Sequence, residues 1–138
     1  MPKRPVPQAS PETREFWEGA QRGELRIQRC LDCGKPYWFP RPFCPNCSSK
    51  NVEWFTASGK GRLHTYVINH RAAMGFQDDV PYVIAIVELD EGVKMMSNIV
   101  GIDPTPENLP VDLPVEVTWE QQNDEITLPL FRPIGGAR

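Results

Sequence analysis

Four cysteines arranged as two close pairs, Cys30-x2-Cys33 and Cys44-x2-Cys47, constrain this chain more than any other feature of its 138 residues. A two-residue spacer lets both thiols of a pair turn inward on one tight knuckle. Two such knuckles complete a tetrahedron of sulfurs about 2.3 Å from a metal ion. Gly34, after the first pair, supplies the positive φ such a knuckle commonly needs, and Pro45 fixes the turn of the second. Because all four positions are cysteine, no coordination site is left open for water, so the spacing predicts a structural centre rather than a catalytic one. Zinc is the expected metal. Iron, held with the same spacing in rubredoxin-type sites, is the alternative, and two disulfides are the least favoured reading.

Charge divides the chain. Residues 1–55 carry nine Lys/Arg against six Asp/Glu, a net of +3, whereas residues 56–138 carry six against twelve, a net of −6. An acidic C-terminal half is a poor surface for a nucleic-acid backbone, which rewards clustered Lys and Arg. No segment approaches the ~18 consecutive apolar residues of a membrane span. The basic start, Met1-Pro2-Lys3-Arg4-Pro5, is followed by no apolar run, which argues against a secretory signal. Paired cysteines without export suit a reducing compartment, and a cytoplasmic location is expected.

The 15 prolines argue for many turns and short elements. Three units are expected: a tail and docking helix over 1–23, a zinc ribbon over 24–55 and a β-barrel over 56–138. In the first, Ser10-Pro11-Glu12 reads as a helix start, with Ser10 as N-cap, and Gly23 as its stop. Phe16, Trp17 and Ala20 form one apolar stripe on that helix, to be docked in the core or offered to a partner. Leu25 and Ile27 alternate with Arg26 and Arg29 in a strand leading to the first knuckle. The ribbon loop Tyr37-Trp38-Phe39-Pro40-Arg41-Pro42-Phe43 is densely aromatic. Packing over the metal site and against the next unit is preferred to stacking on bases, and Trp54 and Phe55 join the same cluster.

Five β-rich segments follow: Leu63 to Ile68, Tyr82 to Leu89, Val93 to Val100, Val115 to Trp119 and Ile126 to Phe131. Asp90-Glu91-Gly92 marks a hairpin, and Gly101 through Pro114 a proline-rich crossover. Five short strands in about 80 residues suit a closed Greek-key barrel of the OB type. The fold class expected is therefore mainly β, with a short N-terminal helix, a rubredoxin-like zinc ribbon and a five-stranded OB-fold barrel.

No phosphate-binding glycine loop, nucleophile elbow or HExxH helix is present, and no cysteine lies outside the ribbon. His64 and His70 sit on or at the end of a predicted strand. A general-base role for His70 beside Arg71 is the sharper reading of that pair, and a solvated or core-edge histidine the preferred one. Asp78-Asp79 is read as a solvated loop. No self-contained active site emerges.

Several strings together resemble a known family: Cys30-Leu31-Asp32-Cys33-Gly34, Pro40-Arg41-Pro42-Phe43-Cys44-Pro45-Asn46-Cys47, Ser58-Gly59-Lys60-Gly61, the run from Pro81 to Gly92, Ser97-Asn98-Ile99-Val100-Gly101 and Leu128-Pro129-Leu130-Phe131-Arg132-Pro133. With Phe16-Trp17 they are similar to the bacterial and archaeal zinc-ribbon/OB-fold proteins long described as a domain of unknown function. The resemblance implies a noncatalytic accessory subunit of a thiolase-superfamily enzyme (a thiolase, acyltransferase or aldolase), part of a hetero-oligomer in lipid metabolism. In such assemblies the barrel helps bind or channel acyl-CoA while the partner supplies catalysis.

Set beside that implication, the loop Arg71-Ala72-Ala73-Met74-Gly75-Phe76 is apolar with one cation. It suits a pantetheine chain beside a phosphate-facing Arg71, or a partner surface. Met74 and Phe76 belong to this candidate contact, and Lys94, Asn98 and Arg132 are further candidates. The alternative function is a single-stranded RNA-binding ribbon/OB module, which the acidic barrel disfavours. An iron-ribbon electron carrier is a third reading.

Overall fold

Apolar residues that alternate along extended segments, interrupted by turn residues, produce a mostly β chain with one short helix. The computed structural model describes residues 7–71 and 81–134. The helix α1 spans Arg14–Gln21 and begins later than expected, because Ser10 does not cap it. Instead the Thr13 N–H donates to the Ser10 carbonyl and the Ser10 N–H to Thr13 Oγ1, closing a turn before the helix. Its end is as expected. Gly23 takes φ 77°, and the N–H groups of Gly23 and Glu24 donate to the carbonyls of Ala20 and Gly19. That pattern is a Schellman motif, available cheaply only to glycine.

Three strands build the ribbon: β1 (Arg26–Cys30), β2 (Pro36–Tyr37) and β3 (Val52–Thr56), in the order β2-β1-β3. The chain then makes five longer strands, β4 (Lys60–Asn69), β5 (Tyr82–Leu89), β6 (Lys94–Ile99), β7 (Pro114–Gln121) and β8 (Thr127–Pro133), closed in the order β4-β5-β6-β8-β7. All pairings are antiparallel except β6–β8, as an OB topology requires. Closure depends on β4 serving two neighbours. A bulge between Leu63 and Thr65 bends it, so that it pairs with β5 along its length and with β7 at Lys60–Arg62. Gly61 lies at that crossing, where any Cβ would run into the Glu88 carbonyl.

The core is continuous across ribbon and barrel. Phe16 of α1 and Leu25 and Ile27 of the ribbon belong to the same buried cluster as Leu63, Val87, Val115 and Phe131 of the barrel. No helix among the described residues is long and apolar enough to cross a membrane.

Candidate metal centre and an apolar groove

The two knuckles are near copies of one another. In the first, the N–H groups of Asp32 and Cys33 lie 3.3 and 3.4 Å from Cys30 Sγ, and the Gly34 N–H donates to the Cys30 carbonyl. In the second, the N–H groups of Asn46 and Cys47 lie 3.3 and 3.4 Å from Cys44 Sγ, and the Ser48 N–H donates to the Cys44 carbonyl. Gly34 and Ser48 occupy equivalent places with φ of 78° and 67°. Sequence reasoning found the first from its glycine and missed the second, because a serine carries no such signal.

All four sulfurs lie within 4.8 Å of one another, with Cys30–Cys47 at 3.5 Å and Cys33–Cys44 at 3.7 Å. A tetrahedron of sulfurs about 2.3 Å from zinc has edges of about 3.8 Å, so the donor set fits such an ion in size and chemistry. Cys30 and Cys44 are fully buried, Cys33 half-buried and Cys47 exposed. Thiols this close do not titrate alike. The Lys35 N–H leads in drawing Cys33 down to about 6. The Ser49 N–H favours the Cys47 thiolate, yet hydrogen bonding with Cys30, Cys33 and Cys44 pushes that thiol up to about 12. Four such sulfurs ionise together only with a cation between them. The knuckles are tied across the site by polar contacts. Asp32 accepts from Ser49 Oγ and from Asn51 Nδ2, and Asn46 Nδ2 reaches Cys33 Sγ at 3.7 Å.

The aromatic loop divides between packing and exposure. Tyr37 is buried, its hydroxyl donating to the Arg41 carbonyl, and Trp38 packs on Phe16 at 4.8 Å between ring centroids. Phe39 and Phe43 are exposed. Trp54 and Phe55 pack on the core from β3, with Arg29 over the Phe55 ring.

Among the described residues, the candidates for acyl-CoA or partner contact are not brought to one place. Arg71 is exposed just beyond β4, near Tyr82, while Lys94 pairs with Glu88 at the other end of β5. Six residues of strand separate those ends, about 20 Å. Asn98 is half-buried and donates to the Val83 carbonyl, and the exposed Arg132 pairs with Glu116 at 3.1 Å. Met74, Phe76 and the Asp78-Asp79 pair lie outside the described residues. His64, at the β4 bulge, and His70 are both exposed.

Two concavities flank Asn98. One, of about 270 Å³, lies at the barrel end beside Tyr82, Ile99, Ile102 and Pro104. The other, of about 680 Å³, runs between the units, with Phe16, Trp17, Trp38 and Phe39 on one wall and Met96, Leu128 and Leu130 on the other. No sequence pattern announces this groove, because its walls come from segments about 60 to 110 residues apart.

Comparison with known proteins agrees with both halves of the architecture. Residues 17–53 match the family model described as the ChsH2 rubredoxin-like zinc ribbon domain, and residues 54–120 the ChsH2 C-terminal OB-fold domain. The chain is 35% identical over 130 residues to a probable enoyl-CoA hydratase alpha subunit of Thermomonospora curvata, covering 94% of this chain but only 40% of that protein. It is 38% identical over 106 residues to a DUF35 domain-containing scaffold protein of Methanothermobacter thermautotrophicus, covering 76% of this chain and 78% of that one. A solved Ltp2-ChsH2(DUF35) aldolase aligns at 35% identity with a TM-score of 0.80, over 92% of this chain and 98% of that one. The chain thus belongs to the DUF35 family of proteins built from a ChsH2-type zinc ribbon and an OB-fold barrel.

Proposed function

We propose that this protein is a noncatalytic accessory subunit of a thiolase-superfamily enzyme, its ribbon braced by zinc and its barrel helping to hold an acyl-CoA while the partner performs the chemistry. The observation that carries this reading is the alignment, over 98% of its length, with the ChsH2(DUF35) chain of an aldolase named for two proteins, Ltp2 and ChsH2. The scaffold name of the archaeal relative points the same way. So does the donor set, since four thiolates leave a bound zinc no position for substrate or water.

Within that reading, Arg71, exposed just beyond β4, is a proposed contact for acyl-CoA or the partner, together with Met74 and Phe76 of the segment that follows it in the sequence. Asn98 and Arg132 are further proposed contacts, and Lys94, at the other end of β5 from Arg71, would serve the partner rather than the same ligand.

Co-expression with a thiolase-superfamily enzyme of the same organism tests the proposal. A complex that survives gel filtration is expected, together with a colourless isolated chain that contains zinc and has no thiolytic or aldol-cleaving activity of its own. Failure to co-purify with any such enzyme would sink it, and a red, iron-containing protein would refute the choice of metal.

A further inference from the structure

The groove between ribbon and barrel has a floor of unusual composition. Its walls are apolar, and Phe39 and Met96 are 53% and 66% exposed, although residues of this kind are normally withdrawn from water. Its polar side chains are largely occupied within the protein. The hydroxyls of Ser10 and Thr13 bond to each other, Ser97 Oγ donates to the Pro129 carbonyl, and Asn98 Nδ2 donates to the Val83 carbonyl. Among the described residues that line it the charged side chain is Glu12, and no Lys or Arg is in the lining. An anionic head group would find no counter-charge among these described lining residues.

The main chain supplies a second, independent requirement. The Leu89 N–H to Val93 carbonyl bond sets the phase of the β5–β6 hairpin. In an antiparallel ladder alternate residues direct their main-chain groups to opposite sides, so those of Met96 point away from β5. On that side β6 pairs with β8 through one register pair, Ile99↔Phe131. From Lys94 to Ser97 the edge has no strand partner among the described residues, and Pro129 of β8 has no N–H to offer. A bare hydrocarbon chain would fill the walls and leave these N–H and C=O groups without partners in an apolar site, at a cost. An extended peptide satisfies both.

We infer that the groove receives an extended, largely apolar segment of the partner subunit, added as a strand to the open edge of β6 at Met96. Apolar side chains of that segment lie between Trp17, Trp38 and Phe39 on one side and Met96 and Leu128 on the other. The residue nearest Glu12 is neutral or basic. The inference rests on the accessory-subunit reading above.

Amide hydrogen exchange on the full chain, free and in complex with the co-expressed thiolase-superfamily enzyme, provides the test. The Met96 amide is expected to exchange at least about tenfold more slowly in the complex. Met96→Pro, which removes the donor on an edge where proline is tolerated, is expected to weaken the complex about tenfold, whereas Met96→Leu, which keeps it, leaves affinity nearly unchanged. Thermal midpoint and zinc content of the free Met96→Pro chain check that it folds, and the exchange measurement needs no variant. A complex in which the Met96 amide stays unprotected overturns the groove assignment and leaves the accessory reading standing. Equal protection by octanoyl-CoA without any partner overturns it in favour of an acyl site. Absence of any complex overturns both.

Discussion

At the scale of single residues, the knuckles are where sequence and geometry meet most directly. Gly34 and Ser48 hold the same left-handed conformation, one without strain and one against the Cβ clash that makes it uncommon for other residues. Ser48→Gly is therefore expected to stabilise the metal-loaded protein by about 0.5–1 kcal/mol, read as a rise in the midpoint of chemical unfolding. A fall would mean that the serine side chain contributes something its backbone does not require. The cysteines were legible because their chemistry is tied to spacing along the chain. Ser48, and the Asp32–Ser49–Asn51 ties beside it, were not, because their roles depend on which groups the second knuckle presents to the first.

Among the elements, the strands followed from alternation and the turns from Gly, Pro and Asp. Tyr82–Leu89 is legible as an apolar, β-branched run ended by the turn residues Asp90-Glu91-Gly92, and in the fold every second side chain of it is buried. The ribbon's β2, two residues long, and β3, whose residues are half-buried or exposed, have no such contrast and escaped notice. The helix began three residues late because Ser10 and Thr13 satisfy each other first. Between β4 and β5, Arg62 donates to Glu88 at 2.9 Å and holds its carboxyl below the usual carboxylate range. Since the folded value is the lower one, the pair's contribution is present above the unfolded pKa and lost as pH falls through the folded one. Glu88→Gln is therefore expected to lower the thermal midpoint at neutral pH, with the difference from wild type narrowing in acid below about pH 4.3. A difference constant with pH would contradict the ion pair as its cause.

For the whole molecule, the decisive feature is that ribbon and barrel share one core. Phe16 is 3% exposed and contacts Trp17 and Trp38 while belonging to the barrel's own cluster. Phe16→Ala is expected to cost about 3–5 kcal/mol. Both units should still melt in a single calorimetric transition, and two separated transitions would show that the shared core does not couple them. The same docking creates the groove and leaves the β6 edge facing it. What the sequence determined alone was local: the metal knuckles, the strand periodicities, the helix stop at Gly23 and the acidic bias of the barrel. Each depends on residues within a few positions of one another or on composition. The tertiary structure decided the rest. It set Arg71 and Lys94 at opposite ends of the barrel, put Trp38 against Phe16, and brought Trp17 and Phe39 across from Met96 and Leu128. Those juxtapositions arise from burial between segments distant in the chain, where no spacing rule connects one residue to the next.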